Sequence, residues 1–170
     1  MLSYKDIPRF TRDANYRINV GWDYLEEWLS KERSECNIDI DPDFQRGHVW
    51  SEKQQERFVE FMLKGGKGCN EIRFNCVGWM NTFEGPFVLV DGKQRLEAVR
   101  KFLRDELKVF GQYCSDFGRL RLTDCDMIIM VNELKTRKEV LQWYLDINTG
   151  GVVHTEKEID KVRELLKKEG

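Results

Sequence analysis

The stretch Phe87-Val88-Leu89-Val90-Asp91-Gly92-Lys93-Gln94-Arg95-Leu96 joins an apolar run to a helical pattern, and the rest of the chain is organised around it. The apolar run predicts a short buried strand, Asp-Gly signals a turn, and apolar residues at helical spacing follow. A strand that turns through glycine into a helix places free backbone N–H groups at the positive helix end. This geometry favours an anion, most often a phosphate.

The side chains of this turn add to the case for an anion site. Gly92 can take a positive φ and lets a ligand approach the backbone. Lys93 and Arg95 supply positive charge, and an arginine can hold a phosphate through two parallel hydrogen bonds. Asp91 is a candidate ligand for a metal ion carried by that phosphate, or it only caps the turn. A purely structural turn shows the same pattern, so both interpretations stay open.

The composition is that of a globular domain. Apolar residues make up 41% and charged residues 34% of the 170 positions, and we predict an arm at residues 1–13 and one domain at 14–170. The net charge of −2 excludes a broadly basic protein that coats nucleic acid, although a local basic groove is compatible with it. The chain has no apolar run of membrane-span length and no signal-peptide core, which predicts a cytoplasmic protein.

The five cysteines predict reduced thiols rather than a metal site. They are odd in number and scattered, they form no Cys-x-x-Cys pair, and only two histidines accompany them. A structural zinc site is therefore not expected.

Apolar periodicity predicts an α+β fold. Strands are expected at 15–20, 72–76, 87–90 and 127–131, with a short extended piece at 36–40. Helices are expected at 22–31, after Ser51, at 94–108, after Thr136 to residue 147, and after Thr155. Three of them begin with capping boxes, formed by Ser51 with Gln54, Thr136 with Glu139, and Thr155 with Glu158.

Two further segments carry groups that could contact a ligand. Residues 43–50 form a predicted loop with two aromatics, Gln45, Arg46 and His48. Residues 148–151 break a helical pattern and offer a side-chain amide at Asn148, a hydroxyl at Thr149 and accessible backbone amides. Site residues often collect in loops, but each segment could equally serve only to anchor or end an element.

The familiar enzyme signatures are missing. There is no P-loop, no Gly-x-Ser-x-Gly elbow and no His-Glu-x-x-His motif. Two histidines cannot build a His-Asn-His nuclease centre. A metal-nuclease pattern can be assembled from Pro42-Asp43 and residues 106–108, but such short matches arise often by chance, and we discount it.

Taken together and in order, the three segments resemble the amino-terminal domain of GmrSD-type modification-dependent restriction enzymes, within the ParB/sulfiredoxin-like superfamily. The family's Phe-Gln-Arg…Val-Trp segment corresponds to residues 44–50, its Asp-Gly-Gln-Gln-Arg turn to residues 91–95, and its Asn-Thr-Gly-Gly segment to residues 148–151. The resemblance implies a small mixed sheet flanked by helices, in a single domain with a nucleotide pocket. It also implies binding and hydrolysis of a nucleoside triphosphate in support of DNA restriction.

This resemblance assigns roles to residues of the three segments. Asp91, Arg95 and Arg46 become the candidate catalytic residues, and Asp91 the candidate ligand of Mg²⁺. The candidate nucleotide-binding residues are Gln45, Arg46, Gly92, Lys93, Gln94, Arg95, Asn148, Thr149 and Gly150. The base of the nucleotide is left open.

The chain departs from the family pattern in two respects. Lys93 replaces the first Gln of the family's turn, which leaves the preference for base or phosphate open. No nuclease domain follows the three segments, so we expect the protein to act with a separate nuclease or defence protein, or to do something other than cut DNA. The alternatives are a metal-dependent nuclease or nickase that acts on DNA itself, and a non-catalytic regulator that binds a host defence complex.

Overall fold

The structure is a computed structural model, and it describes residues 16–45, 47, 49–79, 82, 85–118, 125–149 and 156–169. The predicted arm at 1–13, the candidate residues Arg46 and Gly150, the loop residue His48 and the cap at Thr155 lie outside these residues. The side chain of Thr149 lies outside them as well.

Strands and helices alternate along most of the described chain. The strands are β1 (Tyr16–Gly21), β2 (Ile38–Asp39), β3 (Glu71–Cys76), β4 (Phe87–Asp91) and β5 (Asp126–Asn132). The helices are α1 (Leu25–Cys36), α2 (Glu52–Leu63), α3 (Lys93–Leu103), α4 (Arg137–Thr149) and α5 (Glu156–Lys168), and a short 3₁₀ helix spans Cys114–Phe117. None of these helices is long and apolar enough to cross a membrane.

The strands form one mixed sheet in the order β1-β5-β3-β4-β2. β1 pairs with β5 and β3 with β4 in antiparallel fashion, whereas β5 with β3 and β2 with β4 are parallel. The predicted α+β class with a small mixed sheet is confirmed.

One face of the sheet carries the larger hydrophobic cluster, which α1, α2 and α3 cover. Phe74 and Phe87 are fully buried neighbours with ring centroids 4.6 Å apart, and the Trp28 ring of α1 packs edge-on against both. Alternation along the strands sends these side chains inward, because successive strand residues point to opposite faces.

The other face carries a second cluster, which lies over β4 only. Val90 meets α4 and α5 there, and Phe44 from the 43–50 loop joins them. The Phe44 ring packs edge-on against Tyr144 of α4 at a centroid distance of 5.2 Å. This contact brings the loop to the end of β4.

Several predicted boundaries are confirmed. Ser51 and Gln54 form the expected capping box at the start of α2. The Thr136 hydroxyl and the Glu139 carboxylate exchange hydrogen bonds with each other's backbone N–H at the start of α4. Gly65 takes the positive φ of a helix-terminating glycine.

Three boundaries differ from the predictions. α1 begins at Leu25, because Trp22 is buried in the turn that follows β1. α3 ends at Leu103 rather than near residue 108, because Asp105 adopts a left-handed φ of 59° and the chain turns Leu107 into the core. α4 continues through Asn148 to Thr149, so these two residues belong to the helix and not to the expected break.

Candidate functional site

A β-bulge shapes the end of β4. Phe74 of β3 pairs with Leu89, but the residue before it, Arg73, pairs with Asp91. Val90 therefore has no partner position on β3. Bulges re-aim side chains and are frequent next to functional sites. Here the extra residue places Asp91 opposite Arg73 at the point where the strand gives way to α3.

The Asp91 carboxylate binds two guanidinium groups. Its Oδ2 accepts hydrogen bonds from Arg73 Nη1 at 3.0 Å and from Arg95 Nη2 at 2.9 Å. Arg73 also donates to the Glu71 carboxylate at 2.8 Å, and Arg95 donates to the Glu71 backbone carbonyl through Nε and Nη2. The four side chains keep between a quarter and a third of their surface exposed, so the cluster lies at the surface rather than in the core.

Gly92 takes the positive φ that the sequence suggested, and close packing adds a second requirement for glycine at this position. Its φ is +99°, and a Cβ at this position would lie 2.6 Å from Ile72 Cδ1 and 3.2 Å from the Glu71 carbonyl oxygen. The glycine therefore lets the turn pack directly against β3, with the approaching group supplied by the protein itself.

Two glutamines tie the 43–50 loop to the central turn. Gln45 Nε2 donates to the carbonyl oxygens of Leu89 and Val90 at 3.2 and 2.7 Å. From the other side, the buried Gln94 side chain accepts hydrogen bonds from the backbone N–H groups of Val49 and Trp50 and donates to the Gly47 carbonyl.

The result is a loop held on both sides of position 46. Both side-chain amides are engaged within the protein, so they position the loop. A contact of either residue with a nucleotide stays a prediction.

A cavity of about 400 Å³ opens between this loop and α3. Its lining comprises Ile40, Asp41, Gly47, Leu89, Lys93, Leu96, Glu97 and Lys101. Lys93 Nζ forms an ion pair with the Asp41 carboxylate at the cavity wall. The Lys93 side chain is only 17% exposed, whereas that of Asp41 is 76% exposed, so the lysine is the more buried partner of the pair.

Of the 148–151 segment, Asn148 can be placed relative to the other two. Asn148 lies in the last turn of α4, where its Nδ2 donates to the Tyr144 carbonyl at 2.7 Å. Since Tyr144 packs on Phe44, Asn148 lies one helical turn from the loop contact. The first two segments are thus joined by direct hydrogen bonds, and Asn148 is linked to them through this aromatic pair.

A comparison with protein-family models matches residues 25–126 to the GmrSD restriction endonuclease, N-terminal domain. The chain belongs to this family. Comparisons with curated proteins and with solved structures give no match. The matched span contains the 43–50 loop and the central turn and ends before residues 148–151. The family resemblance drawn from the three segments is confirmed, and membership in a GmrSD family indicates a role related to restriction or defence.

The described residues of this GmrSD N-terminal domain contain no group of three or more His, Cys, Asp or Glu side chains that could hold a metal ion. A magnesium ion bound to a nucleotide needs only one or two carboxylates, because phosphate oxygens and water complete its shell. Asp91 can meet this need only through a carboxylate that two arginines already share. Its role as a metal ligand stays a prediction.

Sequence reasoning missed Arg73, Glu71 and Asp41 as members of this site. Alternation in the strand pattern shows that Glu71 and Arg73 share a face, but their meeting with Asp91 depends on the bulge between β3 and β4. The pairing of Asp41 with Lys93 joins residues 52 positions apart, and no local pattern marks it.

Proposed function

We propose that this GmrSD N-terminal domain binds a nucleoside triphosphate at the β4–α3 junction and hydrolyses it with Mg²⁺, in support of DNA restriction or defence or of its countermeasures. The observation that carries the proposal is the attachment of the 43–50 loop to the central turn by Gln45 and Gln94, beside a cavity that contains Lys93. A separate nuclease or defence protein would act on the DNA.

The amino terminus of α3 supports phosphate binding at this place. Gly92 is its N-cap and offers no side chain to the first helical turn. The first turn carries Lys93, whose ion-pair partner Asp41 is largely exposed. Because the carboxylate of this pair is largely in water while the lysine is mostly buried, a phosphate entering the cavity would compete with Asp41 for Lys93.

The orientation of the Arg95 guanidinium also supports the proposal. Its bonds to Asp91 and Glu71 use Nε and Nη2, so Nη1 is the nitrogen proposed to donate to a phosphate oxygen. Asp91 and Glu71 fix the guanidinium plane, and such preorganised cations stabilise the charge that develops during phosphoryl transfer. A bound Mg²⁺ would add its charge to the same oxygens. Arg46, between Gln45 and Gly47 in the sequence, is the proposed second guanidinium.

Isothermal titration with each ribonucleoside and deoxyribonucleoside triphosphate, with and without Mg²⁺, tests binding. We expect Lys93→Gln to weaken binding of the preferred nucleotide roughly tenfold, since it removes a charge-assisted hydrogen bond while keeping a polar, unbranched side chain. Lys53→Gln, on the exposed surface of α2, is the control and should bind like wild type. Absence of binding by any nucleotide, or equal affinity for Lys93→Gln, would refute the site.

Hydrolysis is tested separately by release of inorganic phosphate under single-turnover conditions. We expect Arg95→Ala to reduce turnover more than it reduces affinity, because its guanidinium is assigned to the transition state. Tight binding without any phosphate release would remove the hydrolytic part of the proposal. Nicking of a supercoiled plasmid by the chain alone with Mg²⁺ or Mn²⁺ would instead favour the nuclease alternative.

A further inference from the structure

A group of exposed aromatic side chains lies outside the candidate nucleotide site. Phe61 on α2, Phe110 and Tyr113 keep between 36% and 45% of their surface exposed. Lys64, one turn beyond Phe61, places its Nζ 4.9 Å from the centroid of the Phe110 ring, and Lys108 does the same with Tyr113. We call these five residues the aromatic surface.

The turn that carries Phe110 is unfavourable for a phenylalanine. Val109 and Gln112 exchange backbone hydrogen bonds at 2.8 and 3.1 Å, and the two residues between them, Phe110 and Gly111, have φ values of +52° and +76°. A two-residue turn of this kind prefers Asn-Gly, since a bulky side chain with positive φ is strained. The ring of Phe110 is 45% exposed, so burial does not offset this cost.

Phe61 is held in a similarly outward position. A Cβ on Gly66 would lie 2.3 Å from the Phe61 ring, which shows that the ring rests on the glycine backbone. The outer face of the ring is left to solvent. Two different elements therefore present aromatic rings that keep more than a third of their surface exposed, and Lys64 joins the two elements through its contact with the Phe110 ring.

We propose that the aromatic surface binds single-stranded nucleic acid. Bases stack on aromatic rings whatever their identity, and neighbouring cations hold the phosphates, which is the arrangement seen here. Lys64 is 65% exposed and its pairing with Glu60 is long, at 3.7 Å, so a phosphate can compete for it. A protein partner fits less well, because lysine is depleted from protein–protein interfaces.

Phe110→Asn tests the proposal without endangering the fold. Asparagine suits the positive φ at this position, so the variant should melt at the same or a higher temperature than wild type. In fluorescence anisotropy at low salt, we expect its affinity for a labelled oligothymidine of about 20 nucleotides to fall roughly tenfold. The affinity of this variant for the nucleoside triphosphate should equal that of wild type.

One control variant and two lysine variants define the result. Tyr16→Asn replaces an equally exposed aromatic at the start of β1 and should leave oligonucleotide affinity unchanged. Lys64→Gln and Lys108→Gln should each lower the slope of log affinity against log salt by about 0.7, the value for one phosphate contact on a single strand.

Three outcomes would overturn the proposal. They are absence of oligothymidine binding by wild type, unchanged affinity in Phe110→Asn, and equal affinity for a duplex of the same length, because a duplex offers phosphates but no unstacked bases. A change from oligomer to monomer in Phe110→Asn, with oligonucleotide affinity retained, would identify the surface as a protein interface instead.

Discussion

The cysteine thiols of this chain differ in burial, and we expect their reactivity to differ accordingly. Burial, together with a hydrogen bond and the negative charge of Glu32, raises the pKa of the Cys36 thiol to about 12. Burial also raises the pKa values of Cys76 and Cys114. Cys69, in contrast, is exposed. Because the thiolate is the reactive species, these environments decide which cysteine reacts.

We expect iodoacetamide at about pH 8 to alkylate Cys69 in the native protein well before Cys36. Peptide mass spectrometry over a time course measures the two rates. In urea the difference should disappear, which serves as the control. Equal native rates would show that Cys36 is more accessible than the structure indicates.

Glu26 is held by two arginines, Arg100 of α3 and Arg104, the residue that follows this helix. Its carboxylate accepts hydrogen bonds from Arg100 Nε at 2.7 Å and from Arg104 Nη2 at 2.6 Å. Burial acts to raise the pKa of Glu26, but the two hydrogen bonds and the arginine charges outweigh it and lower the pKa below its usual 4.5. The stabilisation is therefore present above pH 4.5 and is lost as the pH falls through the folded-state pKa.

Glu26→Gln should accordingly lower the free energy of unfolding at neutral pH and flatten its decline in acid. Urea denaturation between about pH 3 and pH 7 measures both effects. Glu27→Gln, which changes an exposed neighbour, should leave the pH dependence as in wild type. A Glu26→Gln curve parallel to that of wild type would contradict the assignment.

At the scale of elements, the passage from β4 to α3 is determined by one bulge and one glycine. The bulge sets Asp91 opposite Arg73, and Gly92 allows the helix to start against β3. Gly65, at the end of α2, shares the positive φ but has no atom within 4 Å of the position its Cβ would occupy. A comparison of substitutions at these two glycines therefore separates the cost of backbone strain from the cost of steric overlap.

Gly92→Ala should cost roughly 2–4 kcal/mol, the sum of a left-handed conformation and overlap with Ile72 and Glu71. Gly65→Ala should cost about 1 kcal/mol, from the conformation alone. Urea denaturation of both variants measures the difference. Equal losses would mean that β3 shifts to accept the methyl group at no cost.

At the scale of the molecule, Phe44 connects the second hydrophobic cluster to the candidate site. It is 3% exposed, packs on Tyr144 of α4, and is followed directly by Gln45, which binds the end of β4. Through this residue, the packing of α4 and α5 and the position of the 43–50 loop depend on each other.

Phe44→Ala should lower the free energy of unfolding by roughly 3–5 kcal/mol and also weaken nucleotide binding, because the loop loses its anchor. Leu29→Ala, a buried residue of α1 in the larger cluster, should lower stability with little effect on affinity. Chemical denaturation and titration on the same variants measure both quantities. Equal loss of affinity in the two variants would show that the effect is one of general stability.

The sequence by itself determined those features that depend on residues close together in the chain. The capping boxes at Ser51 and Thr136, the strand alternation and the turn at Gly92 are all local, since each is set by hydrogen bonds or side-chain periodicity within a few residues. The order of the three segments was also sufficient to recognise the GmrSD N-terminal family.

Only the tertiary structure decided how distant residues meet. The pairing of Arg73 with Asp91, the hydrogen bonds of Gln45 and Gln94 across the loop, and the end of α3 where Leu107 turns inward have no local signal. Each of them joins groups that are brought together by packing and strand register, and the free energy of such contacts exists only once the sheet and its two clusters have formed.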